Sequence, residues 1–292
     1  MTRSAIEPHP LLLFASISRL HIVAIAALGT LTFGWLFLGE RPWLLAAVAA
    51  LDWFIVNLLN RVVDLDEDRV NRITGVAFVD AHRRAILWCG VGVLAVSLVA
   101  VHVVLPALLP LRLAFHALGF AYNWPLFPGR RRIKQLYFWK NTASAMGFVL
   151  TVFCFPLIGQ PISGTVLTCF YFFVLFELSY EVIYDLRDAP GDAATGVRTY
   201  PVVHGQAGAV RIIDALLLGS FATLVVGYLT GLVPWRIAIM AAAPVVQLVL
   251  YKAALRRPGG ITSSDCIRLT WVGAGLLATY HVWVELDLPG VS

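Results

Sequence analysis

Apolar residues run along this chain in blocks of about twenty, too long for strands and too uniformly apolar for helices with one wet face. A bilayer core about 30 Å thick is crossed by about 20 such residues in an α-helix. Nine stretches meet that measure, at about 20–38, 43–63, 85–104, 106–124, 137–158, 164–184, 211–231, 236–254 and 267–284. Short alternating segments, the mark of a membrane β-barrel, do not describe these runs. The pattern predicts an all-α integral membrane protein with nine transmembrane helices in one polytopic domain, 1–292.

Composition agrees. Of 292 residues, 59% are hydrophobic and 13% charged, against about 25% charged in soluble domains, and the mean hydropathy is +0.80. The start of the chain lacks a basic segment, short apolar core and small-residue cleavage site, so the first helix is expected to stay, in a bacterial plasma membrane. With nine spans and an inner N-terminus, nineteen of the 22 Lys and Arg fall in inner segments, leaving Arg41, Arg112 and Arg236 toward the other side. That bias puts the even-to-odd loops in the cytoplasm. Arg112 is expected to snorkel to the outer surface. The formal charge of +5 then calls for anionic lipid and an anionic substrate, and for no nucleic acid.

Cys89, Cys154, Cys169 and Cys266 have no metal-ligand spacing and read as buried small hydrophobes. The histidines are scattered without an HExxH pair, which argues against zinc.

The acids are not scattered. They gather in "NRVVDLDEDRVNR" at 60–72 and "SYEVIYDLRDAPGDAATGVRTY" at 179–200, each following the second apolar run of a four-helix group and entering a cytoplasmic loop. Placing Asp64 and Asp68 on Asp188 and Asp192 gives a shift of 124 residues (188 minus 64), close to that between the first and fifth helices. The chain reads as two related halves, about 11–128 and 129–254, with a ninth helix at about 267–284.

Asn60, Asp64 and Asp68 lie four apart and form one stripe on a helix; Glu177, Tyr180, Tyr184 and Asp188 form another, with Glu181 and Asp185 beside it. Carboxylates held this close repel unless a cation lies between them. Oxygen-only donors suit Mg²⁺, which takes one or two carboxylates and completes its shell with water and phosphate. The spacing therefore points to Mg²⁺ and a diphosphate.

These residues resemble the UbiA superfamily of intramembrane prenyltransferases. Its first motif, NDxxDxxxD, is matched by "NRVVDLDED" at Asn60, Asp64 and Asp68, with Arg61 where an Asp is usual. Its second, DxxGDxxxGxxTLPV, is matched by "DAPGDAATGVRTYPV" at Asp188, Gly191, Asp192, Gly196, Thr199, Pro201 and Val202. "SRLHIVAIAALGTLTFG", with Arg19, and "YNWPLFPGRRRIKQ" extend the likeness over nearly the whole chain.

The resemblance implies a Mg²⁺-dependent enzyme that moves an isoprenoid chain from a prenyl diphosphate to a lipophilic, aromatic acceptor. Asp64, Asp68, Asp188 and Asp192 would hold Mg²⁺ with help from Asn60 and Asp185. Arg19, Asn60, Arg72, Lys134 and Arg198 would bind the diphosphate, and Tyr122 would cover it from a loop. Arg61 would contact phosphate directly.

Ionising an allylic C–O bond leaves a carbocation, which a dry apolar wall and π-faces protect. Tyr171, Phe172, Phe173 and Phe176 are candidates for that wall. Asp52 and Glu177 lie inside predicted spans, where an ionisable group faces a cavity or a partner. Glu177 is read as a catalytic group that orients the acceptor or takes the final proton, and Asp52 as paired with a neighbouring helix. Gly29, Gly34 and Gly219 fit close helix packing. A terpene cyclase sharing the ionisation step, and a transporter built from repeats, are the alternatives.

Overall fold

The computed structural model describes residues 9–70, 73–129 and 131–288 of the chain; Arg72 lies outside them. Among the described residues the chain is helical, with one isolated bridge between Phe127 and Arg131. The helices are α1 (Pro10–Ile17), α2 (Leu20–Leu38), α3 (Trp43–Val63), α4 (Leu65–Val70), α5 (Val76–Ala81), α6 (Arg83–Val104), α7 (Leu109–Asn123), α8 (Trp139–Phe148), α9 (Gly164–Ala194), α10 (Tyr200–Leu229), α11 (Trp235–Ala238), α12 (Ala242–Leu255) and α13 (Ser263–Glu285).

Among the described residues, six helical segments are long and apolar enough to cross a membrane: α2, α3, α6, α9, α10 and the run Trp235–Leu255. The other three predicted spans are helical but less regular. The fourth opens with a 3₁₀ turn at Pro106–Leu108 and leaves α7 fifteen residues. The fifth passes from α8 into a π-helical turn, Val149–Phe153, and a 3₁₀ turn, Phe155–Leu157. In α13 the first turns carry Asp265 and Arg268, which dilute its apolar character.

Helix ends follow local chemistry. Gly39, in the left-handed region at φ 74°, closes α2 so that α3 folds straight back on it. Ser163 caps α9 through Val166 N–H at 3.2 Å, and Thr262 with Asp265 forms a capping box on α13.

α2 packs on α3 and α13, and α9 on α10 and α8. Lipid gives helices no hydrophobic reason to associate, so close packing must hold them. A Cβ on Gly29 would sit 2.6 Å from Val152 Cγ1, so only glycine lets α2 lie against the π-turn. Around this contact Phe33 meets Phe153 and Phe173 edge-on, each at 5.1 Å. On α6, by contrast, Trp88, Val96, Val99 and Val103 face outward, as a lipid-facing helix requires.

Three expectations change. Arg112 does not snorkel: it is fully buried and forks onto Asp52, with Nε 2.9 Å from Oδ2, Nη1 2.9 Å from the Ser97 carbonyl and Nη2 2.9 Å from Ser97 Oγ. His116 Nε2 joins at 2.9 Å from Asp52 Oδ1, so α7 is riveted to α3 and α6. A buried guanidinium is tolerable there because nearly all its donors are matched. The second acidic motif is not a loop: α9 continues through Pro190 to Ala194. Cys89 is exposed on α6 rather than buried, because α6 turns much of its surface outward.

Candidate active site

Asp64 stands where α3 gives way to α4. Its N–H bonds the Asn60 carbonyl at 2.9 Å and its own carbonyl receives Asp68 N–H at 2.8 Å, so the helical repeat crosses the break. Asn60 Nδ2 donates to Asp64 Oδ2 and to Asn123 Oδ1, both at 2.6 Å. The remaining Asp64 oxygen accepts from Lys134 Nζ at 2.7 Å and Arg132 Nη1 at 2.9 Å. Glu67 takes the other side of the same two cations, at 2.6 Å from Lys134 and 2.8 Å from Arg132. Asp68 turns away and accepts from Arg61 Nη1 at 2.8 Å.

The second cluster is arranged alike on α9. Asp185 accepts from Lys140 Nζ at 2.9 Å and from Asn141 Nδ2 at 2.8 Å. Lys140 also reaches Asp192 at 3.0 Å, joining residues two helical turns apart. Asp188 lies between them and is gripped by Arg187, Nε at 2.7 Å and Nη2 at 2.5 Å.

Tyr122 joins the clusters. It lies within Coulombic reach of Lys140, Glu181 and Asp185 of the second cluster and of Asp64 of the first. It does so from the last turn of α7 rather than from a loop, because that helix runs on to Asn123.

Behind the acids lies an apolar chamber of about 120 Å³, walled by Ile25, Gly29 and Phe33 of α2, Phe148 and Val152, Phe172, Phe173 and Phe176 of α9, and Gly273 of α13. Glu177, Tyr180, Glu181 and Tyr184 carry the α9 wall toward the acids. Glu181 accepts from Ser144 Oγ at 2.6 Å. Tyr180 donates to the Leu269 carbonyl at 3.0 Å, and the Tyr184 hydroxyl lies 2.8 Å from Thr270 Oγ1, fixing α9 against α13. Tyr171 is exposed: on a helix it points away from the face shared by Phe172, Phe173 and Phe176.

The expected residues thus meet in part. Asn60, Asp64, Lys134, Tyr122, Asp185 and Asp192 share the polar mouth, with Glu177 in the chamber wall. Arg198 is exposed, its guanidinium 5.7 Å from the Tyr137 ring centre. Arg19 sits at the α1–α2 corner in a left-handed conformation, φ 49°. Sequence reasoning missed Glu67, Asn123, Arg132, Lys140 and Asn141. Lys140 and Asn141 had a signal: a lysine and an amide beside an apolar run invite the question of a partner.

All the acid donors are oxygen, as Mg²⁺ prefers, and Asn60 Oδ1 is buried beside Asp64 without a hydrogen-bond partner. Among the described residues no three His, Cys, Asp or Glu side chains come together closely enough for a metal cage. The carboxylates instead meet in twos around a lysine, which suits a cation that needs only one or two carboxylates and takes the rest from water and phosphate.

The chain is similar to several known proteins. The digeranylgeranylglyceryl phosphate synthase of Methanopyrus kandleri is 31% identical over 106 residues, covering 36% of this chain and 39% of that protein, well under half its length. The enzyme of the same name from Thermococcus kodakarensis is 27% identical over 206 residues, covering 68% of each. A UbiA homolog from Archaeoglobus fulgidus, solved bound to DMAPP and Mg²⁺, shares the fold with a TM-score of 0.70 at 15% identity, covering 92% of this chain and 97% of that one. A profile of the UbiA prenyltransferase family matches residues 21–264, which takes in both acid clusters, and the chain belongs to that family.

Proposed function

We propose that this protein is a Mg²⁺-dependent intramembrane prenyltransferase that moves an isoprenoid chain from a prenyl diphosphate to a lipophilic acceptor. The observation that carries the reading is two lysine-bound acid pairs, Asp64 with Glu67 and Asp185 with Asp192, at the head of an aromatic-lined chamber. The ligands of the Archaeoglobus homolog, DMAPP and Mg²⁺, support it. Two related halves joined near residue 128, with the mouth toward the cytoplasm, complete the proposal.

Asn60, Asp64, Asp68, Asp185, Asp188 and Asp192 would hold the metal. Mg²⁺, when bound, supplies charge neutralisation for the diphosphate as it leaves. Arg132, Lys134 and Lys140 exchange carboxylate oxygens for phosphate oxygens, an attraction that strengthens as the leaving group gains charge. Arg72, Arg198 and Tyr122 remain part of the proposed diphosphate shell. The prenyl C–O bond breaks with its electron pair leaving on the diphosphate, and Phe172, Phe173 and Phe176 keep water from the allylic cation. The acceptor nucleophile then bonds to that carbon. Its proton passes to Glu177 or Glu181, the two carboxylates of the chamber wall.

The names of the relatives favour a glyceryl phosphate lipid over an aromatic acceptor. The deciding experiment uses protein in lipid nanodiscs with Mg²⁺ and radiolabelled C10, C15 and C20 prenyl diphosphates, with and without acceptor. Product that forms only with acceptor is expected. A cyclic hydrocarbon formed without acceptor would make the protein a terpene cyclase. Neither product nor diphosphate release would leave a non-enzymatic membrane protein.

A further inference from the structure

Two buried hydrogen-bond donors in α3 have no acceptor. Asn57 Nδ2 and Arg61 Nε are both unpartnered, on side chains only 4% and 6% exposed. They lie one helical turn apart and so present to the same side. A buried donor left unpaired costs about as much as a lost hydrogen bond, so two together mark a place built for an oxygen-rich ligand. The rest of Arg61 is held: Nη1 on Asp68 at 2.8 Å and Nη2 on the Ser16 carbonyl at 3.0 Å. The guanidinium is thereby aimed and cannot swing to satisfy Nε elsewhere.

The surroundings are cationic. His21, in the first turn of α2, lies within Coulombic reach of Arg19, Arg187 and Arg61. Arg19 forms no ion pair among the described residues. Arg187 lies with its guanidinium 4.9 Å from the centre of the Tyr184 ring, and Tyr184 lines the chamber. Glu181 lies within Coulombic reach of both Lys140, which holds Asp185 and Asp192, and Arg19. The site therefore carries two sets of cations: Arg132, Lys134 and Lys140, which bridge the acid pairs, and Arg61 and Arg187, which each hold one further acid, Asp68 and Asp188, with Arg19 near Arg61.

We infer that Asn57 and Arg61, with Arg19, His21 and Arg187 around them, form a second anion site, which takes the phosphate monoester head of the acceptor lipid while its chain lies in the chamber. The inference rests on the prenyl-transfer reading and deepens it. The position held by Arg61 carries an acid in the usual first motif, so this chain has traded a carboxylate for a cation at that point. A guanidinium matches phosphate with a planar fork of donors, and the amide adds a neutral one beside it. The donor's own diphosphate is the other source of the same chemistry.

Binding and kinetics together separate them. The protein in nanodiscs, in EDTA and without prenyl diphosphate, is titrated with a prenylglyceryl phosphate and with the same lipid bearing a neutral glycerol head. The phosphorylated lipid is expected to raise the thermal midpoint of the wild type and the neutral lipid to leave it nearly unchanged. Arg61→Gln and Asn57→Ala are each expected to weaken the phosphorylated lipid about 10-fold or more, the worth of one charge-assisted hydrogen bond. In turnover with Mg²⁺ the same change appears in the KM for that acceptor, and in Asn57→Ala, which removes no contact to an acid of the metal set, the KM for prenyl diphosphate shifts less than about 2-fold. Equal binding of both lipids by the wild type overturns the site. A raised KM for prenyl diphosphate with the acceptor KM unchanged also overturns it and gives Arg61 to the donor. If Arg61→Gln does not fold, Asn57→Ala and the wild-type comparison of head groups still decide. If the wild type transfers no prenyl group to any acceptor, the reading of function fails, while the EDTA titration still judges the anion site.

Discussion

Lys134 Nζ lies 2.7 Å from Asp64 Oδ1, a buried ammonium against a buried carboxylate, with Glu67 completing the grip at 2.6 Å. The pair joins the segment between α7 and α8 to the end of α3. An amide at position 64 keeps an oxygen for Lys134 but gives up the negative charge a divalent cation needs. Asp64→Asn is therefore expected to lose turnover by about 100-fold or more, the scale of removing one charge-stabilising group, while the protein still inserts and elutes as a single species. Diphosphate release assayed beside size-exclusion chromatography checks both halves. Release near the wild-type rate would take Asp64 out of the metal set.

Asp52 makes the opposite prediction. Its partners Arg112 and His116 are buried with it, and none of the three lines the chamber. Asp52→Ala strands a guanidinium in the membrane interior and is expected to cost about 3–5 kcal/mol, the usual result of breaking a buried pair from one side. Asp52→Leu combined with Arg112→Met removes both charges and is expected to recover most of that loss. Thermal midpoints in one detergent read the difference, and activity per folded molecule is expected to stay near that of the wild type. A loss of activity in the well-folded double variant would show that the cluster does more than fasten α7.

How legible the molecule was depended on where the partner lay. Charge is so scarce in this chain that Asp64, Asp188 and Asp192 stood out, and the spacing of Asn60 and Asp64 foretold a contact now seen at 2.6 Å. The partner of Asp52 was not legible, because Arg112 is 60 positions away and nothing local selects it over any other outer arginine. The length of α9 was hidden because the apolar run stops near 184 and the acidic stretch after it reads as a loop. Pro190 lacks the N–H that would reach back one turn, yet the helix runs on four residues beyond it to Ala194. Lys140 was visible as charge, but only the folded chain brings Asp185 and Asp192 to it together. Asn57 carried the same weak signal as Asn141, an amide in an apolar run, but only the folded chain shows that its donor is unpaired.

Gly29 offers a test of the packing that shapes the chamber. A methyl group there would meet Val152 Cγ1 at 2.6 Å, and both residues line the cavity. Gly29→Ala is expected to destabilise the protein by about 1–3 kcal/mol, as overpacking usually does. Val152→Ala added to it makes room for the methyl and is expected to restore most of the loss. Melting of the two single variants and the double variant decides; strict additivity of the two effects would mean that α2 and the π-turn do not bear on one another as described.

Glu177 separates ionisation of the donor from capture of the cation by the acceptor. It lies in the α9 wall two turns before Tyr184, away from the lysine-bound acids and among Phe173, Phe176 and Tyr180. A group in that position cannot grip the diphosphate, but it can orient the acceptor or take its proton once the new bond has formed. Glu177→Gln keeps the shape and removes the base. Diphosphate release is then expected to stay within about 3-fold of the wild type while prenylated product falls by about 10² or more, the range of a single general base. The uncoupled turnover would appear as prenyl alcohol, formed when water captures the cation instead. Parallel measurement of released diphosphate and extracted lipid distinguishes the outcomes. If both fall together, Glu177 belongs to the ionisation machinery and Glu181, held by Ser144 at 2.6 Å, becomes the remaining chamber carboxylate able to accept the proton.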